Sequence, residues 1–347
     1  MPHLLATLPA FMVVSLAASL SAFMLAGPAT AQPPAAPFPA GKSVSMHVGV
    51  NPGAGNDHIM RMVARHMGKY LPGQPNVIAK NTPGAGGRRF AGLLANTLPR
   101  DGTEFGMVHR GVVTEQFLGD VALPFKAQDL TFLGTPTSTS DTCLVWHTAR
   151  VQSIADLKEH ELVIAGDGNE NWAVYLLQRL LGAKIRSVIG YPGGAAMNLA
   201  MERGEAGGRC GYSYQAFMAA IPDWVRDKKV RPIVQFATER HPDMKDVPLI
   251  LDFAKTDLDR AALRLIVAPQ AFGFPFVAPP GLLPEVRDML RAAFDRTMRD
   301  PAAHEDAKKI RLAIAPVNGQ TLQRVIDEVY AATPEVVARA KQLITPN

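Results

Sequence analysis

Two short stretches hold the residues whose types and spacing point to chemistry: Asn51-Pro-Gly-Ala-Gly-Asn-Asp57 and Asn81-Thr-Pro-Gly-Ala-Gly-Gly87. Their chemistry is that of the backbone. Each sets glycines between a short apolar run and an amphipathic segment, which reads as a strand, a tight turn and the first turn of a helix. The first N–H groups of a helix have no partner within it, and the helix dipole favours negative charge there. Such a corner suits an anion or a carbonyl oxygen. Gly53 and Gly55 let the backbone come close to a ligand with no side chain in the way. After the first corner Ile59, Met62, Val63 and Met67 share one helix face, and Asp57 or Asn56 is the expected N-cap. After the second, Arg88–Asn96 turns Phe90, Leu93 and Leu94 inward. Two such corners line one crevice when their strands are parallel neighbours. Arg88, Arg89, His109 and Arg110 lie just beyond strand ends and are candidates to add positive charge.

Enzyme motifs are missing. Neither corner extends to G-x-G-x-x-G, no phosphate-binding G-x-x-x-x-G-K-[ST] occurs, and the histidines show no H-E-x-x-H spacing. Ser213 in Gly211-Tyr-Ser-Tyr-Gln215 misses a nucleophile elbow at its last position. Asp57-His58 reads as a cap and a solvent-facing histidine rather than a metal pair, so no metal and no cofactor are expected. Asp167 and Glu170 have the separation of an acid–base pair, although a capping residue and a first-turn acid account for them as well. Cys143 and Cys210 are the two cysteines; they are either one disulfide or two buried thiols.

Positioning these residues falls to alternating strands and helices. Residues 1–31 read as a secretory signal, with an apolar core from Phe11 to Leu25 and Ala29-Thr30-Ala31 as the cleavage site. Residues 32–41 are a Pro/Ala-rich lead-in. Strands are expected at Ser43–Val50, Val77–Ala79, Glu104–Val108 and Leu130–Gly134, with helices at Asp57–Tyr70 and Arg88–Asn96. This βαβαβ order implies a mostly parallel sheet with helices on both faces. The polar run Thr135–Asp141 reads as a link to a second βα series. That series has strands at Cys143–His147, Leu162–Ala165, Ile185–Ile189, Ala206–Cys210 and Ile233–Phe236. The polar stretch Glu239–Asp246 reads as the way back, and Leu263–Val277 holds a strand of the first series. Helices follow at Pro284–Arg299, Gly319–Ala331 and Pro334–Leu343. The expected division is 42–138 with 240–347 in one lobe and 139–239 in the other. The net charge of +5 is scattered and aromatics are few, which excludes the basic stripe of a nucleic-acid binder.

Taken in order, these motifs resemble the periplasmic solute receptors of the tripartite tricarboxylate transporter family, the Bug receptors. The first corner of that family is P-G-G-G-x-D, here Pro52-Gly-Ala-Gly-Asn-Asp57, and the second is N-x-P-G-A-G-G, here Asn81–Gly87. Pro99-Arg-Asp-Gly102, Tyr191-Pro-Gly-Gly194, Gly204-Glu-Ala-Gly-Gly208 and Ala278–Val286 match further family elements. The family loop G-S-G-S is replaced by Gly166-Asp-Gly-Asn169, which removes two hydroxyls and adds an acid that would repel a carboxylate. The resemblance implies a type II-like two-lobe periplasmic-binding fold. It implies a small organic anion held between lobes at Asn51, Pro52, Gly53, Ala54, Gly55 and Asp57, and at Asn81, Pro83, Gly84, Ala85 and Gly86. His109 and Arg110 would stand beside them. From the second lobe it implies Asp167, Gly168, Asn169, Tyr191 and Gly193. The partners implied are membrane permease subunits, with the receptor itself a monomer without catalysis. An exported enzyme using Asp167 and Glu170, or a ligand sensor for a membrane kinase, are the other readings.

Overall fold

The computed structural model describes residues 38, 41–119, 122–166, 168, 171–191 and 193–346; the expected signal segment lies outside them. The apolar run before the first corner forms β1 (Val44–Val48), buried at every residue, as a parallel strand covered on both faces must be. It pairs in parallel with β2 (Val77–Asn81) and β3 (Glu104–Met107). β2 is an edge strand, and its residues are only half-buried or exposed. In both pairings the strands end level: Val48 stands opposite Asn81 on one side and Met107 on the other. That register brings the loops after β1, β2 and β3 to one edge.

The sheet is completed by β4 (Thr131–Thr135), β10 (Phe276–Ala278) and β11 (Val317–Asn318), in the order β11-β4-β10-β3-β1-β2. β10 runs antiparallel to β3 and β4, and β11 antiparallel to β4. The parallel part expected from the βαβαβ order is therefore one half of a mixed sheet. The other half is built by chain that returns after an excursion through a second sheet.

That second sheet has five strands in the order β7-β6-β8-β5-β9: β5 (Asp141–Trp146), β6 (Leu162–Gly166), β7 (Ile185–Ile189), β8 (Gly208–Ser213) and β9 (Val230–Phe236). β6 is parallel to β7 and β8, and β5 is antiparallel to β8 and β9. Cys143 and Cys210 are bonded across the β5–β8 pair, with Cα atoms 3.9 Å apart. The bond sits where the β5 register shifts against both neighbours.

In the first half of the chain the helices are α1 (Gly55–Met67), α2 (Arg88–Asn96), α3 (Val112–Leu118), α4 (Asn171–Leu181), α5 (Gly194–Glu202), α6 (Tyr214–Ala220) and α7 (Pro222–Arg226). The rest are α8 (Asp257–Phe272), α9 (Pro284–Met298), α10 (Pro301–Lys309), α11 (Gly319–Tyr330) and α12 (Pro334–Ile344). One core fills the space between the first sheet and α1, α9 and α10. A second is continuous from α2 and α3, through α8, α11 and α12, to α4 and the second sheet. A third lies under α5, α6 and α7 on the other face of the second sheet. The apolar run Leu263–Val277, expected to hold a strand of the first series, is mostly α8, and the strand is confined to its end, where β10 begins at Phe276. A helix buried on most of its sides carries no polar stripe, so its periodicity is lost. The segment 239–246 folds back on the end of β9, where the buried Gln235 side chain accepts from His241 N and donates to Met244 O, each at 2.8 Å. α8 then carries the chain back to β10. The last helix, α12, packs against α8 and α4.

Candidate functional site

At the first corner α1 begins at Gly55 with Ala54 as its N-cap, which offers no side-chain acceptor. Asp57 reaches back from the first turn instead and accepts the Gly53 N–H at 2.8 Å. The same carboxylate, 2 % exposed, accepts from Arg61 Nε and Asn81 Nδ2, both at 2.9 Å. Asn81 Nδ2 also donates to Val50 O at 3.0 Å, and Asn81 Oδ1 accepts from Arg61 Nη2 at 2.7 Å. Burial pushes the Asp57 pKa up, but the hydrogen bonds from Arg61, Gly53 and Asn81 outweigh it and hold the carboxyl below its ordinary value. Asp57 and Asn81 thus form a knot that fixes one corner against the other.

The corners also touch through backbone. A Cβ at Gly49 would stand 2.8 Å from the Gly87 Cα, so only glycine allows this approach. Gly84, Ala85, Gly86 and Gly87 all have positive φ, at 138°, 48°, 63° and 92°, a run that winds successive N–H groups to one side. Gly87 N donates back to Gly84 O at 2.9 Å. The N–H groups of Gly55 and Asn56 at the first corner, and of Ala85 and Gly86 at the second, meet no acceptor among the described residues.

The third loop, after β3, carries His109 and Arg110. Nδ1 of His109 accepts the Gly111 N–H at 3.1 Å, which places the proton of the neutral ring on Nε2. The ring is solvent-accessible at the edge of the sheet, yet surrounding protein desolvates it. That desolvation, with the nearby Arg110 and Arg88 charges, holds its pKa below the ordinary value. Arg110 turns away from the corners. It binds both oxygens of the buried Asp141 at 3.3 and 3.1 Å and the Thr139 hydroxyl, and Gln270 Nε2 donates to the same carboxylate at 3.0 Å. Arg88 is paired with Glu115, and Arg89 donates to Pro83 O at 3.3 Å.

A cavity of about 760 Å³ lies between the corners; Asn51, Ala54, Pro83, Gly84, Gly86 and His109 line it. A second, of about 650 Å³, joins the two sheets: Gly55, His109 and Arg110 face Thr139, Ser213 and Gln215. The structure therefore brings most of the expected first-lobe residues together. Pro52, Gly53 and Ala85 are exposed and line neither cavity. On the other side Asp167, Asn169 and Glu170 lie outside the described residues. Gly168 and Gly193 have φ of 98° and 145°; Gly193 precedes α5, and Tyr191 leans on the third core. Thr139 and Gln215 also line the cavity between the sheets, and nothing in the sequence but their polarity marks them. Gln215 Oε1 accepts from Ser140 N at 3.1 Å and so ties α6 to the link between sheets. Ser213 caps α6, accepting from Ala216 N at 3.3 Å, and its hydroxyl lies 3.2 Å from Gln215 Oε1.

No protein-family model and no curated protein matches the chain. Solved structures do. A TctC solute-binding protein from Polaromonas, without ligand, superposes with a TM-score of 0.68 at 18 % identity, covering 87 % of this chain and 97 % of its own. The chain has the fold of the TctC and Bug solute-binding proteins. An R. palustris protein solved with adipate covers 86 % of this chain and 97 % of its own, with a TM-score of 0.57 at 18 % identity. MatC from Rhodopseudomonas palustris, solved with bound malate, covers 87 % and 99 %, with a TM-score of 0.53 at 19 % identity. The two mixed sheets are the two lobes of this periplasmic-binding architecture, and among the described residues no helix is long and apolar enough to cross a membrane.

Proposed function

We propose that the protein is an exported receptor that holds a small organic acid between its lobes and presents it to the permease of a tripartite tricarboxylate-type transporter. The observation that carries this reading is the level ending of β1, β2 and β3. It gathers the Gly55, Asn56, Ala85 and Gly86 amides on one edge, beside two cavities of ligand size. Adipate and malate on neighbours of the same fold support a carboxylate. In this reading 42–138 and 240–347 form one lobe and 139–239 the other, with α12 as a strap between them. The signal at 1–31 is removed, and the mature protein acts as a periplasmic monomer. The corners supply backbone donors, while Asp57 and Asn81 position them. The loops at 166–171 and 191–194 close from the other side, and a ligand touching both lobes favours the closed form by its differential affinity. Native mass spectrometry of protein purified from the periplasm tests this, followed by calorimetry and scattering with adipate and malate. A captive organic acid and a smaller radius of gyration with ligand are expected. No bound acid, no heat with either probe and identical scattering curves would overturn it.

A further inference from the structure

The cavity between the corners and the cavity between the sheets share one wall residue among the described residues, His109. It stands against the second corner: a Cβ at Gly87 would lie 3.5 Å from the His109 Cβ. The start of α3 fixes the ring. A Cβ at Gly111 would be 3.0 Å from Nδ1 and 3.2 Å from Cε1, so the glycine there leaves the ring its place. The Gly111 N–H donates to Nδ1, and Nε2 meets no acceptor among the described residues. A second ring proton would go on Nδ1 and face the Gly111 N–H, donor against donor. The charges around the ring oppose that proton too. Arg88 and Glu115 line the cavity between the corners, and His58, Arg110, Lys309 and Arg311 line the other. Arg88 is paired with Glu115, Arg110 with Asp141 and Lys309 with Asp306. From the second sheet's side come only neutral groups, Ser213, Gln215 and Ala216. Desolvation comes first in disfavouring the imidazolium, Arg110 and Arg88 add to it, and Glu115 offsets only part.

We propose that His109 is a fixed neutral donor of the ligand site: its Nε2–H binds a carboxylate oxygen at the wall the two cavities share, and the acid is captured as its anion without proton uptake there. Gly111 is the positioning residue, because its N–H occupies Nδ1 and its missing side chain admits the ring. An imidazole free to turn would take a proton near its ordinary pKa of about 6.5 as an anion approached, and capture would weaken as pH rose. With Nδ1 engaged, the ring presents the same N–H on both sides of that pH. Affinity for an acid that is ionised throughout then stays level. The inference rests on the receptor reading and adds to it which side chain binds the acid and in which protonation state.

Calorimetry of the mature chain with malate and adipate tests it, at about pH 6.5 and about pH 8, in buffers of different ionisation heat. His109 is exposed, so its variants are expected to fold. His109→Leu should weaken binding about tenfold or more, as loss of a hydrogen bond to a charged group does. His109→Gln puts an amide N–H2 in the place of Nε2–H and should stay within about threefold of wild type. Wild type and His109→Gln should take up the same number of protons on binding, which sets aside any contribution of His58. Nitrogen NMR of the free protein at neutral pH, with the His109 signals assigned by their loss in His109→Gln, should show the Nε2–H tautomer. Larger proton uptake in the wild type than in His109→Gln overturns the inference. So does an Nδ1–H tautomer or an imidazolium in the free protein. If both acids bind and His109→Leu binds them equally well, the donor role falls and the receptor reading stands. If neither acid binds and neither compacts the protein, the receptor reading falls and takes the donor role with it.

Discussion

Asp57→Asn tests whether the knot between the corners governs both stability and binding. The carboxylate accepts from three donors, the Gly53 N–H, Arg61 Nε and Asn81 Nδ2, at 2.8, 2.9 and 2.9 Å. Asparagine has the same shape but only one acceptor oxygen. With that oxygen facing Arg61 and Asn81, its amide N–H2 must face the Gly53 N–H, so one hydrogen bond becomes a clash of two donors. The charge opposite Arg61 is lost as well. A hydrogen bond to a charged group contributes about 1.5–3 kcal/mol, and the exposed Gly53 N–H must turn to water instead. The discount for the partly exposed Arg61 places the net loss at about 3 kcal/mol. With a urea slope of about 3 kcal/mol/M, the unfolding midpoint drops by about 1 M. Because the folded-state pKa of Asp57 is depressed, its contribution is present above the ordinary Asp range and is lost as pH falls through the folded value. The wild-type and mutant stabilities should therefore converge in acid. Adipate affinity by calorimetry should drop at least tenfold at neutral pH, since the Gly55 and Asn56 amides lose their anchor. An unchanged midpoint together with unchanged affinity would refute the knot.

Three further outcomes follow from the same geometry. The Cys143–Cys210 bond closes a separation of 67 residues, for which the chain-entropy account gives about 4 kcal/mol; Cys143→Ala/Cys210→Ala should melt well below the oxidised wild type, and equal melting temperatures would contradict this. Gly84→Val should abolish adipate binding in a folded protein, because φ is 138° and its Cβ would press on the Arg89 side chain at 3.2 Å; wild-type affinity would remove that corner from the site. Arg110→Met leaves the buried Asp141 with Gln270 as its remaining side-chain donor, and losing one partner of a buried pair costs about 3–5 kcal/mol; a urea midpoint equal to wild type would refute the pairing.

What the sequence shows and what it hides follow from where each signal resides. Strand–glycine–helix corners are local, so β1, α1, β2 and α2 stand close to where the pattern places them, and Arg88–Asn96 is matched at both ends. The level strand ends are not local and came into view only through pairing. A polar residue ahead of an apolar stripe marks Asp57 or Asn56 as the N-cap; the turn is tighter than that, α1 starts at Gly55, and Asp57 caps from inside. α8 lost its signature through burial on most sides. α10 carries a start signal, Asp300 as N-cap with Pro301 after it, but its residues are mostly polar and its apolar stripe is short, so its periodicity is weak. Arg110 looked like a ligand cation because nothing in a sequence reveals that Asp141, across the link between sheets, claims it.

The fate of the cations explains why backbone donors dominate the corner site. Arg110 is held by Asp141, Arg88 by Glu115, and His109 is kept neutral by desolvation and its cationic neighbours. In the proposed receptor an acid at the corners therefore meets backbone dipoles first, with Arg89, which is exposed and donates to Pro83 O, as the nearby full charge. Dipoles at a helix start contribute tenths of a kcal/mol to about 2 kcal/mol each, enough in number to hold a carboxylate, while none of them alone commits it. In the proposed receptor a ligand that touches both lobes favours their closed arrangement by its differential affinity, and that closure is what a permease would read.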